Sequence, residues 1–288
     1  MIDVFKIESN DNTLFVTSQC NNRCLMCCQP PIKTDDIDLC FSRNVEIIEN
    51  SPIGIKDIGI SGGEPTLLGD KLPELIKIIR RKYADAHIHV LSNGRLFKEH
   101  TLVKSIIDAA VSNITVGVPL HSDYENDHDI IAGIRGAYQE TLYGLYNLYN
   151  YGIDIELRIV INKLNFTRLH QISEFIFKNL PFVSWVAFMA MEDTGYCIKN
   201  RDLIWCEPLE YANELEKAVM NLSSWNIDVS IYNIPLCLLN ESIKPFASKS
   251  ISDWKTSFLS CCDKCVNKSL CCGLFTTSRT PFKGIKPI

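Results

Sequence analysis

Cys20, Cys24 and Cys27 stand with three residues and then two between them, directly after a β-rich run. Thiolates are the ligands of iron–sulfur clusters and of structural zinc, and a tight loop can aim three of them at one point. Three thiolates leave one iron of a four-iron cluster open to an outside ligand, whereas a zinc knuckle wants a fourth Cys or His. Cys28 is poorly placed to be that fourth, because its side chain diverges from that of its neighbour Cys27. Spacing alone therefore leaves open a cluster, zinc, or coincidence among 13 cysteines. A second set lies near the other end: Cys237, then Cys262, Cys265 and Cys271 in the stretch CDKCVNKSLC, with Cys261 and Cys272 as adjacent alternates. Four thiolates would close either an iron–sulfur cluster or a four-cysteine zinc site. Cys40, Cys197 and Cys206 read as buried apolar residues rather than ligands.

Composition narrows the setting. The chain has 288 residues, 46% of them hydrophobic and 22% charged, which describes a folded globule rather than a disordered chain. An odd cysteine total excludes complete intrachain pairing, and a chain of this length buries a core without disulfide staples. The opening MIDVFKIESNDN lacks the basic-then-apolar pattern of an export leader, and no apolar run approaches the ~20 residues of a spanning helix. The expected compartment is a reducing cytoplasm, where clustered cysteines point to metal or catalysis. A net charge of −5 argues against blanket nucleic-acid binding, which needs a basic face.

The elements that must position these thiols alternate. TLFVTSQC (13–20), IKDIGISGGEP (55–65), AHIHVLSNG (86–94), NITVGVPLH (113–121), DIELRIVIN (154–162) and VSWVAFMAM (183–191) read as strands. KLPELIKIIRRKY (71–83), LVKSIIDAAV (102–111), GAYQETLYGLYNLYNYG (136–152) and RLHQISEFIFKNL (168–180) read as helices between them. Six β-units joined this way imply a parallel sheet with right-handed crossovers; periodicity alone does not choose between a doubly wound sheet and a partly closed barrel. Beyond about residue 205 come one more helix, PLEYANELEKAVMNL (208–222), a strand, NIDVSIYNI (226–234), and an irregular cysteine-rich tail. We divide the chain into a core, 1–205, and a C-terminal cysteine-bearing region, 206–288, expected to pack on the core as a subdomain.

The second strand ends in ISGGEPTL (60–67), where Gly62 and Gly63 let the backbone approach a ligand closely, Glu64 adds a carboxylate and Pro65 stiffens the exit. Alone this is an ordinary glycine turn. Three cysteines after the first strand followed by GGEP after the second resemble the radical S-adenosylmethionine (SAM) superfamily. The resemblance implies a partial (βα)6 barrel, a [4Fe–4S] cluster on Cys20, Cys24 and Cys27, and SAM chelated to the open iron, with the GGEP loop at its amino group. It implies reductive cleavage of SAM to methionine and a 5′-deoxyadenosyl radical, with the electron from a donor such as a flavodoxin or ferredoxin. Met26 stands where relatives usually carry an aromatic residue near the adenine. Ser92 and Asn93 of LSNG are candidates for the ribose and methionyl part, or form an ordinary Asn-Gly turn. Arg158 is a candidate partner of the SAM carboxylate, or half of a surface ion pair. Pro119 replaces a serine common at the end of the fourth strand, with His121 and Ser122 as substitutes. Met189 and Met191 stand where relatives often cradle the adenine, though core packing is the plainer role. Glu192, Asp193 and His128 read as solvated surface.

The stretches CLMCCQPP, GISGGEPTLLGD, HVLSNGRLF, SIYNIPLCLL, SISDWK and GIKPI resemble, in order, the His-Xaa-Ser system radical SAM maturase family, HxsC type. That implies an auxiliary [4Fe–4S] cluster on Cys237, Cys262, Cys265 and Cys271. It also implies a ribosomally made precursor peptide with His-Xaa-Ser repeats as substrate, and a second radical SAM maturase as partner. The alternatives are a radical SAM enzyme acting on a small molecule or RNA, and a zinc-stabilised partner subunit without catalysis.

Overall fold

The computed structural model describes residues 4–9 and 12–288. Residues 1–3 and 10–11, part of the stretch read for an export leader, lie outside the described residues. One sheet holds β1 (Thr13–Phe15), β2 (Asp57–Ser61), β3 (His87–Leu91), β4 (Ile114–Pro119), β5 (Asp154–Val160), β6 (Trp185–Met189) and β7 (Asp228–Tyr232), in that order. β2 lies parallel to β1 with Gly59 opposite Thr13, β3 to β2 with Ile88 opposite Ile58, β4 to β3 with Ile114 opposite Ile88, and β7 to β6 with Val229 opposite Val186. A doubly wound sheet reverses its strand order at a switch point. This order never reverses, which is the winding of a barrel wall and decides between the two expected architectures. The sheet has a seventh strand beyond the six expected, supplied by the run at 226–234.

Each strand sorts its residues by alternation. In β3, Ile88 and Val90 are buried, while His87, His89 and Leu91 point to the other face and are half-exposed. The helices are α1 (Ile37–Asn50), α2 (Lys71–Lys82), α3 (His100–Ala110), α4 (Glu125–Ala132), α5 (Ala137–Asn150), α6 (Leu169–Asn179), α7 (Tyr196–Lys199), α8 (Arg201–Ile204) and α9 (Pro208–Ser224). α2 buries Leu72, Leu75, Ile76 and Ile79, the stripe read from the sequence. α9 starts at Pro208 behind a capping box in which Glu207 and Glu210 each accept from the other's backbone N–H. α1 and α4 have no counterpart in the sequence reading. α1 buries only Asn44, Ile47 and Ile48, and α4 is an eight-residue acidic helix, so neither carries a long apolar stripe. Among the described residues no helix is long and apolar enough to cross a membrane.

The chain forms two compact units: residues 1–23, 29–119 and 136–156 in the first, and 24–28, 120–135 and 157–288 in the second. In the first, the backbone after β1 is clamped against the loop after β2. Gly63 N–H donates to Thr17 O at 2.7 Å and Glu64 N–H to Gln19 O at 2.8 Å. A side chain at Gly62 would meet Thr17 O at 2.6 Å, and one at Gly63 would overlap the Gln19 carbonyl. The two glycines thus admit the neighbouring backbone, a requirement separate from any ligand.

In the second unit, α6 and α9 pack together, with Phe177 stacked on Trp225 at 4.3 Å. The 24–28 segment is held by backbone bonds: Leu25 N–H to Ile131 O at 2.9 Å and Tyr196 N–H to Cys27 O at 2.8 Å. Asn200 Nδ2 adds a bond to Leu25 O at 2.9 Å. Gly195 has φ +59°, and a side chain there would collide with the Cys27 and Cys28 carbonyls. Met26 buries among Ile131, Met191, Cys197 and Ile204. The tail is a series of 3-10 turns closed by a small antiparallel pair, β8 (Thr256–Ser257) with β9 (Leu274–Phe275). That pair gathers residues 258–273, and with them all five late cysteines, into one loop.

Gly63→Ala tests the clamp. The added methyl has no room against backbone, so the expected loss of stability is about 1–3 kcal/mol, read as a lower urea midpoint at unchanged slope.

Candidate active site

Glu64 is fully buried, and four donors converge on its carboxylate. Oε1 accepts from Thr66 N at 3.0 Å, Thr66 Oγ1 at 2.6 Å and Ser92 Oγ at 2.7 Å; Oε2 accepts from Asn93 N at 2.7 Å. The carboxylate caps the 3-10 turn Pro65–Leu68 and fastens it to the loop after β3. Glu64, Ser92 and Asn93, singled out separately from the sequence, are one hydrogen-bonded assembly. Ser92 Oγ also accepts from Gly94 N at 3.1 Å.

Asn93 extends that assembly to the first cysteine. Its Nδ2 donates to Asn21 Oδ1 at 2.5 Å and lies 3.8 Å from Cys20 Sγ. Asn22 N–H donates to the same sulfur at 3.3 Å. Burial pushes the Cys20 thiol up, and the Asn22 donor works against that. A buried thiol with N–H donors aimed at its sulfur suits a site where a metal takes the proton's place. Arg95, which sequence reasoning missed, braces the loop: Nη1 donates to Asn21 O at 2.7 Å and Asn22 Oδ1 at 2.8 Å, and Nη2 pairs with Glu140 at 2.6 Å.

In the second unit Cys24 Sγ lies 3.9 Å from His121 Nε2. His121 is buried, and burial lowers its pKa well below the ordinary imidazole value, with the neighbouring His128 ring adding to the shift at 5.0 Å. The ring is therefore neutral at neutral pH. Ser122, the other proposed substitute for a serine at the end of β4, accepts from Tyr124 N at 3.1 Å. Arg158 Nη2 reaches Met189 Sδ at 3.6 Å, and Met191 packs in the core as its plainer reading had it. Two surface assignments are corrected. Asp193 is 2% exposed and pairs with Arg201 at 2.6 Å, and His128 is 1% exposed on the buried side of α4; both sit where packing, not solvent, surrounds them. Glu192 is half-buried and accepts from Thr277 Oγ1. Cys197 and Cys206 are buried as expected, whereas Cys40 is half-buried.

Four C-terminal cysteines gather around one pocket. Cys237, Cys262, Cys265 and Cys271 all line one small recess of about 20 Å³, and Cys261 and Cys272 do not. Cys272 donates to Cys271 and, with Gly273 N–H at 3.5 Å from that sulfur, brings the Cys271 thiol down to about 6. Burial holds Cys237 and Cys262 above the ordinary thiol value. Among the described residues no three His, Cys, Asp or Glu side chains are drawn together as a single metal ion requires.

Glu64→Gln should lower stability by about 1–3 kcal/mol in urea unfolding. Whichever way the amide turns, an NH2 faces donors that now meet a carboxylate oxygen.

The sequence profile of the radical SAM superfamily matches residues 14–176, more than half of the chain. The chain is 34% identical over 152 residues to the Fe-coproporphyrin III synthase of Methanosarcina barkeri, a match covering 52% of this chain and 36% of that protein. It is 24% identical over 206 residues to the GTP 3′,8-cyclase of Petrotoga mobilis, covering 69% of this chain and 62% of that one. The chain thus spans about a third to three fifths of the length of these curated relatives. Among solved structures, anSMEcpe with bound AdoMet and Kp18Cys peptide matches with a TM-score of 0.59 at 16% identity, over 76% of this chain and 62% of that one. Streptococcus suis SuiB bound to SAM matches with a TM-score of 0.54 at 13% identity, over 76% and 46%. At such identities these structures speak for the fold alone. Family match, strand order and the loops that follow β1 and β2 agree: the chain belongs to the radical SAM superfamily.

Proposed function

We propose that this radical SAM enzyme modifies a ribosomally made peptide carrying His-Xaa-Ser repeats, and that its C-terminal region holds an auxiliary [4Fe–4S] cluster. The peptide rests on the ordered sequence stretches that resemble the His-Xaa-Ser maturases. The auxiliary cluster rests on one observation, the four cysteines around a single pocket. When bound, the first cluster and SAM supply a 5′-deoxyadenosyl radical that takes a hydrogen atom from an unactivated C–H bond. The chain's own part is placement. Cys20, Cys24 and Cys27 supply thiolates, Asn22 and Asn93 steady the first of them, and Glu64 fixes the loops that would meet the methionyl end. Met26, Gly62, Gly63, Pro65, Ser92 and Arg158 complete the proposed SAM contacts. A second radical SAM maturase and a flavodoxin or ferredoxin complete the proposed partners.

Coupling of a serine carbon to imidazole predicts the loss of two hydrogens per crosslink, read by mass spectrometry after anaerobic incubation of all partners with the repeat peptide. An unchanged mass, with no deuterium uptake, overturns the peptide reading. The curated relatives favour a second reading, a small-molecule substrate, and consumption of GTP or formation of Fe-coproporphyrin III in place of peptide modification would establish it. The auxiliary site has its own test. Iron should be about eight per chain and fall to about four in Cys271→Ala, but stay near eight in Cys261→Ala. Equal iron in both variants contradicts the assignment.

A further inference from the structure

His121 follows the end of β4 and is buried, with its ring turned to a cysteine. Its Nε2 lies 3.9 Å from Cys24 Sγ, within reach of an N–H donor to a large sulfur atom, and its Nδ1 has no hydrogen-bond partner among the described residues. A buried ring nitrogen without a partner lowers stability, and a phenyl ring would fill the space without that penalty. Among the described residues the Cys24 sulfur is the imidazole's one hydrogen-bonding contact.

That contact is held from both sides. Leu120 N–H donates to Arg158 O at 3.0 Å and His121 O accepts from Asn165 Nδ2 at 2.9 Å, which pins the backbone that carries the ring. Asn165 is itself fully buried, and its Oδ1 accepts from Asn162 N at 2.8 Å. The His128 ring packs on that of His121 at 5.0 Å. On the other side Leu25 N–H reaches Ile131 O at 2.9 Å, and Cys24 packs on the apolar cluster of Met26, Ile131, Met191, Cys197 and Ile204. Such surroundings strengthen a hydrogen bond that water would weaken.

Chemistry sets the direction of the bond. A free thiol can donate to a bare Nε2. A thiolate bound to iron has no hydrogen, so the hydrogen in the contact must sit on Nε2, whatever Nδ1 carries. Hydrogen bonds to the sulfurs are one of the levers that set an iron–sulfur reduction potential. A donor at a ligand sulfur stabilises the reduced cluster most, because that state carries one electron more.

We propose that His121 is a positioning residue for the reduction step: its Nε2–H donates to the Cys24 sulfur and raises the potential at which the first cluster takes its electron. The proposal rests on Cys24 being a ligand of that cluster. The electron comes from the flavodoxin- or ferredoxin-type donor, and the imidazole neither gains nor loses a proton. The test is a potentiometric titration of the anaerobically reconstituted full-length chain, followed by electron paramagnetic resonance. The first cluster is recognised as the signal that SAM alters. His121→Phe keeps a ring in the space and removes the donor. Its midpoint should fall, so that at a fixed potential the ratio of reduced to oxidised cluster drops about three- to tenfold. His121→Gln, with an amide N–H near the place of Nε2, should restore most of that drop. A second readout needs no variant that might misfold: histidine labelled with nitrogen-15 should show hyperfine coupling to the reduced first cluster in the natural sequence, and His121→Gln should lose it. An unchanged midpoint in His121→Phe at the natural iron content, or no such coupling in a chain whose cluster answers SAM, overturns the proposal. A natural chain with no SAM-responsive signal overturns the ligand reading itself, and the donor with it.

Discussion

A single buried carboxylate organises the first half of this site. Glu64 has no contact with water, so its charge is tolerable only while Thr66, Ser92 and Asn93 deliver their donors to it. Those donors come from the loops after β2 and β3, which are 28 residues apart in the chain and must therefore keep one geometry. Asn93 then carries the order on to the Cys20 sulfur, and Arg95 braces the residues beside it. The motif that marks the family is thus a structural tie within the protein. Gly62 and Gly63 serve the same end by letting this loop lie on the backbone of Thr17 and Gln19.

Much of this was legible in the sequence where periodicity or spacing carries it. The α2 stripe, the alternation in β3 and the GGEP turn each leave a local signature. The cysteine spacing did so as well, and the strand order settled what periodicity left open. What escaped reading has a common physical character. α1 and α4 bury too little apolar surface to show a stripe. The anchors of residues 24–28 come from far along the chain and bond its backbone, Asn200 reaching the Leu25 carbonyl from 175 residues away with its side-chain amide, and a carbonyl has no sequence identity to read. Gly195 is their one trace, because only a residue without a side chain takes that φ against the Cys27 carbonyl. Asp193 and His128 were misjudged for a related reason: charge predicts solvent, but a partner such as Arg201 lets an acid be buried.

The 13 cysteines fall into classes set by surroundings rather than by count. Cys197 and Cys206 lie in apolar packing that raises their thiols to about 11 and about 12, which keeps them protonated and inert. Four others line one C-terminal pocket, and their immediate neighbours Cys261 and Cys272 do not. Adjacent cysteines, indistinguishable in the sequence, are separated by which side of the backbone meets the pocket.

The central claim is that the loop at Cys20, Cys24 and Cys27 commits this chain to reductive cleavage of SAM. The direct measurement is 5′-deoxyadenosine released on mixing anaerobically reconstituted protein with SAM and dithionite. The account predicts release by the natural chain and none by Cys24→Ala that has kept its C-terminal iron. No release from the fully iron-loaded natural chain, or equal release from Cys24→Ala, would contradict it.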